Sequence, residues 1–146
     1  MRRQRGFTLI ELLVVLVIIA VVVVGVSLSI RDTNRDLLEK DAQRLIAQLE
    51  AARSVSRTSG VAWVWQAQDA GYVIQPLPAS PDTAILQTHW YSPELVSHTN
   101  TADGRLILGP EPLMTPASID LQITTGNNTT HLQIATDGLH GFEVRR

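Results

Sequence analysis

The sequence contains no cysteine, which excludes a disulfide framework, a thiolate nucleophile and any zinc site built on cysteine. Aromatic residues are scarce, at 5%, although hydrophobic residues reach 45%. The apolar content is therefore aliphatic, and much of it is Val, Ile and Leu packed between Leu12 and Ile30. Basic charge is also short. The whole chain carries −2, and setting aside Met1 to Gly6, which hold Arg2, Arg3 and Arg5, leaves nine basic side chains against fourteen acidic ones. Nucleic-acid binding rests on a basic surface that displaces counterions. Only Arg145 and Arg146 make a compact basic feature, so the composition argues against a nucleic-acid partner.

Chemistry-bearing patterns are missing as well. No glycine loop suited to phosphates and no serine-centred nucleophile elbow occurs, and His89, His98, His131 and His140 show no metal-ligand spacing. Asp137-Gly138 is better explained as a turn between two strands than as a catalytic acid. The expectation is a protein that is not an enzyme, with no catalytic residues, no cofactor and no metal. At 146 residues there is room for one ordinary domain beyond the apolar N-terminus.

What is present begins with that N-terminus. Leu12 to Ile30 is a run of 19 uncharged residues, fifteen of them Leu, Val or Ile, close to the ~20 that cross a bilayer as a helix. Each aliphatic residue favours insertion by roughly 0.3 to 0.6 kcal/mol, whereas a carboxylate at the centre of a span opposes it by ~2.5 to 3.5 and by less near an end. Glu11, at the start of the run, does not prevent insertion. In lipid the backbone pairs its own polar groups only as a helix, so the valine run is helical there. A conventional secretory signal, cleaved near Ser27-Leu28-Ser29, competes with this reading, as does a plain single-span anchor. Neither accounts for Gly6-Phe7 and Glu11 together.

From Arg31 to Ser59, apolar residues recur at Leu38, Ala42, Leu45, Leu49 and Ala52, widened by Leu37 and Ile46. Steps of three and four are helical. Asp32, Arg35, Asp36, Lys40, Arg44 and Glu50 fall mainly off that stripe, and Gly60 is a natural stop. With no helix breaker between the two parts, a single helix from Phe7 to about Ser59 is predicted. Beyond Gly60 the period changes to two. Val61 to Trp65 sets Trp63 and Trp65 on one face, and Gly71 to Ile74 follows the turn at Gln68-Asp69-Ala70 as the second arm of a hairpin. Further strands are predicted at Leu86 to Tyr91, Arg105 to Leu108, Ile119 to Thr124, His131 to Ala135 and Phe142 to Arg145. Pro76 to Asp82, Ser97 to Gly104 and Gly109 to Pro116 are predicted loops, and Gly126-Asn127-Asn128 a hairpin loop. The fold class is α+β: a long N-terminal helix, transmembrane in its first half and amphipathic in its second, packed on a small antiparallel sheet domain. The tryptophans are expected to line that core. An aromatic platform of Trp63, Trp65 and Trp90 is the sharper alternative.

The segment Arg5-Gly6-Phe7-Thr8-Leu9-Ile10-Glu11-Leu12-Leu13 resembles the prepilin cleavage and methylation motif of type IV pilins and type II secretion pseudopilins. Gly104 to Pro112 and Thr136 to Val144 resemble the type II secretion minor pseudopilin H family. The resemblance implies leader cleavage between Gly6 and Phe7 by a membrane-embedded prepilin peptidase, which is also the methyltransferase that modifies the Phe7 amine. It implies that Glu11 serves subunit assembly by pairing with a neighbour's N-terminal amine. The implied organisation is a leader at 1–6, a transmembrane helix at 7–30 and a periplasmic head at 31–146, made of helix 31–59 and β-domain 61–146. The implied location is the bacterial inner membrane, single-pass. The implied role is a minor pseudopilin near the tip of the pseudopilus, working with other major and minor pseudopilins and an inner-membrane assembly platform in protein export. A type IV minor pilin of the fimbrial or DNA-uptake class is the alternative, and a single-span protein with an adhesive or substrate-binding periplasmic domain and no filament is a third reading.

Overall fold

The computed structural model describes residues 9–79 and 85–145, with backbone only at 26–32. The leader junction Gly6-Phe7, and Arg146, lie outside the described residues. The first element is the helix α1 (Leu9–Ser59), which no proline interrupts. It ends where expected. Gly60 takes φ +71°, the left-handed conformation that closes helices at little cost only for glycine, and its N–H still reaches the Ser56 carbonyl at 2.9 Å. The chain divides between Thr33 and Asn34 into two compact units.

In the larger unit the helical stripe is the core-facing side. Leu38, Ala42, Leu45 and Leu49 are wholly buried, Ala52 nearly so, and Leu37 and Ile46 pack against them. Among the described residues eight strands follow: β1 (Trp63–Gln68), β2 (Gly71–Pro76), β3 (Leu86–His89), β4 (Leu95–Thr99), β5 (Arg105–Leu108), β6 (Ala117–Thr125), β7 (Asn128–Thr136) and β8 (Glu143–Arg145). They form two antiparallel sheets, ordered β3-β2-β1-β5 and β4-β6-β7-β8. The α+β class holds, with the strands shared between two sheets. Both contribute to one core with the helix: Trp65, Tyr72, Ile74, Leu106 and Leu108 from the first, Leu95, Ile119, Leu121, Ile123 and Ile134 from the second. The alternation is clearest in β6, where Ala117, Ile119, Leu121 and Ile123 are buried while Asp120, Gln122 and Thr124 are exposed.

Several boundaries differ from the sequence expectation. Ser97 to Thr99, expected in a loop, belong to β4, which pairs with β6 in the register Leu95↔Ile123 to Thr99↔Ile119. A polar Ser-His-Thr run resembles a loop, but Leu95 and Ser97 alternate inward and the partner strand fixes the pairing. Trp90 and Tyr91 lie beyond β3. Pro76, placed in a loop, ends β2 opposite Trp63, and Asn128 starts β7 opposite Thr125, which shortens the hairpin loop to Gly126-Asn127. Trp65 is fully buried beside Tyr72, which in turn meets Trp90 with ring centroids 4.6 Å apart. Trp63 is half-buried against the same core. The aromatic cluster is packing rather than a platform open to ligand.

Candidate functional site

The described side chains at the start of α1 are mostly aliphatic. From Leu9 to Val24, fourteen Leu, Ile and Val side chains are each at least 45% exposed. A helix with no polar face belongs in lipid or among other apolar helices. The first turn carries one acid, Glu11, which is also exposed. Among the described residues no helix is long and apolar enough to cross a membrane. The described side chains of the run stop at Gly25, 17 residues from Leu9, while the apolar sequence continues to Ile30. Gly6 and Phe7 have no described geometry, so Glu11 is the one sequence-predicted site residue that the structure places.

In the head, a row of polar side chains on α1 fixes the helix to the sheets. Asn34 donates to Thr125 Oγ1 at 3.1 Å, and that hydroxyl donates to Glu94 at 2.9 Å. Asp41 is wholly buried. Its Oδ1 accepts from Arg44 at 2.6 Å and its Oδ2 from the Tyr91 N–H at 3.0 Å. Arg44 also donates to the His89 carbonyl and stacks over the Tyr91 ring, 4.2 Å from its centroid. Burial pushes the Asp41 carboxyl up from its ordinary value, against the Tyr91 N–H and Arg44, which lower it. Gln48 Oε1 accepts from Tyr72 and Thr88, and Glu50 Oε1 from the Phe142 N–H at 2.9 Å. Arg44 and Glu50, expected to face water, are therefore drawn onto the domain.

Two buried charges escaped the sequence reading, Asp41 and Arg53. The spacing carried a signal for both. Asp41 stands three residues after Leu38 and four before Leu45, and Arg53 four after Leu49, so each lies on the stripe itself. Arg53 donates to the Pro112 carbonyl at 3.2 Å, and Arg57 to the same oxygen at 3.4 Å.

The histidines do not converge. His89, His98, His131 and His140 are exposed at separate places, and no cluster of three or more His, Asp or Glu suited to a metal exists among the described residues. His140 has one acidic neighbour. Asp137 Oδ1 accepts from the Leu139 and His140 N–H groups at 2.9 and 2.8 Å, and its Oδ2 meets His140 Nδ1 at 2.8 Å. These bonds hold the Asp137 carboxyl well below the usual range and raise the imidazole of His140. Asp137 thus builds the turn after β7, and its oxygens are occupied by that turn.

Each unit has its own character: polar pins hold α1 to the sheets in the larger one, and exposed aliphatic side chains with one acid run from Leu9 to Val24 in the smaller. Comparison with known families is consistent with that arrangement. The prokaryotic N-terminal methylation motif matches residues 1–27. The type II transport protein GspH family matches residues 41–138, more than half of the chain. The chain belongs to the GspH family. Neither a curated protein nor a solved structure matches it. As a GspH-family chain with a prepilin-type motif it has a pseudopilin, type IV pilin-like role. The family is one of structural subunits that associate with other pseudopilins and are processed by prepilin peptidase. The GspH match covers the polar pins from Asp41 to Arg57, though not Asn34, and the methylation motif covers Glu11.

Proposed function

We propose that the chain is a minor pseudopilin, made as a precursor cut between Gly6 and Phe7 and methylated on the Phe7 amine. Residues 7–30 hold it in the inner membrane, and residues 31–146 face the periplasm near the tip of a type II secretion pseudopilus. One observation carries the reading: a methylation motif and a GspH match in one chain, with the unbroken helix α1 running from the first into the second. The all-round apolar surface from Leu9 to Val24 supports the anchor, since water would oppose such a surface and lipid would not. The type IV minor-pilin alternative draws on Arg145 and Arg146. Arg145 is half-exposed, with Glu143 3.9 Å away, the arrangement of a solvated surface pair.

After cleavage Glu11 becomes the fifth residue, about one helical turn from the new ammonium. An acid in an apolar setting is stabilised by a cation, and in an assembled filament that cation is a neighbour's Phe7 amine. Glu11→Val leaves the Gly6-Phe7 junction intact and makes the span more apolar, so insertion and cleavage should continue. Breaking one member of a buried charge pair costs ~3 to 5 kcal/mol. Membrane abundance of the variant should hold while co-purification of other pseudopilins and export fall steeply. Wild-type levels of both would remove Glu11 from assembly.

A further inference from the structure

Arg53 is only 3% exposed, yet among the described residues its one hydrogen bond is to a neutral oxygen, the Pro112 carbonyl. Arg57, one turn later and exposed, converges on the same oxygen. Among the described residues neither arginine lies within ion-pairing distance of a carboxylate. Glu111, next to Pro112, folds its carboxylate over Gly109 instead. A buried guanidinium is strongly unfavourable without a counter-charge, and two cations sharing one carbonyl repel each other. An oxyanion placed here would complement both cations, and guanidinium groups pair best with a carboxylate or a phosphate.

The surroundings choose between a free ion and a protein. Leu113, beside Pro112, is 64% exposed, and Leu139 is 68% exposed. Their segments are joined by the bond from the Met114 N–H to the Gly138 carbonyl. An exposed leucine next to the arginine-bound carbonyl, with a second on the hydrogen-bonded neighbouring segment, matches the make-up of a protein interface, where arginine and apolar anchors carry the energy. We propose that Arg53, Arg57, Leu113 and Leu139 form a docking point on the head for a segment of a neighbouring pilin-like subunit, which supplies an Asp or Glu carboxylate beside an apolar side chain. This rests on the assembly role proposed above.

The test places a photo-crosslinking residue at Leu113 in the full chain, in membranes of cells that carry the secretion system, and in a parallel sample at Leu16 in the apolar half. Both positions should form adducts with pilin-like subunits, and the peptide captured at 113 should contain Asp or Glu. Arg57→Glu sits at an exposed position. It should lower the 113 adduct by at least about tenfold, with the 16 adduct and the abundance of the chain unchanged. A 113 adduct that persists in Arg57→Glu, lacks an acid or joins another kind of protein overturns the docking point, as does its absence; a 16 adduct in the same cells would leave the assembly role standing. No adduct at either position overturns both.

Discussion

Asp41 accepts from both Arg44 and Tyr91, and so ties α1 to the segment between β3 and β4. Burial opposes its charge, as the raised carboxyl shows, so part of what the two partners contribute is offset by desolvation. Asp41→Ala removes that penalty along with the bonds. It leaves the Tyr91 N–H without its acceptor, while Arg44 keeps the His89 carbonyl and the Tyr91 ring. Breaking a fully buried pair costs ~3 to 5 kcal/mol, but Arg44 is 26% exposed and can rehydrate. The expected loss is therefore about 2 kcal/mol, near an unsatisfied buried donor. Urea unfolding of the detergent-solubilised chain, followed by tryptophan fluorescence, measures it. An unchanged midpoint would mean that the clamp contributes nothing.

At the scale of elements, two glycines with positive φ do different work. Gly60 closes α1 with nothing within 4 Å of where a Cβ would stand. Gly138, at φ +88°, follows β7, and a Cβ there would run into the Met114 carbonyl. Gly60→Ala should thus cost only the left-handed penalty of roughly 1 to 2 kcal/mol, and Gly138→Ala clearly more, because the loop at 109–116 must also move. Thermal melts of the two variants compare them directly, and equal shifts would deny the close packing at Gly138. The same elements show how much of the fold could be read in advance. The helix, its stripe and its stop at Gly60 followed from period and composition, as did a hairpin loop at Gly126-Asn127 between two strands. Period two tells which face a residue occupies, not which sheet its strand joins. Nothing local in Arg105 to Leu108 says that β5 pairs with β1, or that β4 joins β6 rather than the first sheet. Tertiary pairing decided both.

For the whole molecule, the candidate site was legible where chemistry is local to the sequence and hidden where packing makes it. The Gly6-Phe7 junction and Glu11 stand in one short motif, matched as a methylation motif over residues 1–27. Arg53 gains meaning only when the helix is laid against the Pro112 loop, far away in the chain. The account joins the two: an apolar, acid-bearing segment proposed to enter a filament, and a head whose sheets are held to α1 by Asn34, Asp41, Arg44, Gln48, Glu50 and Arg53. Its central claim is prepilin-type processing, because the proposed pairing of Glu11 depends on a new amine at Phe7. The intact mass of the protein purified from membranes tests this most directly. The account predicts a chain that begins at Phe7 and carries one added methyl group on its amine. An uncut precursor, or an N-terminus near Ser29 or Ile30, would contradict it.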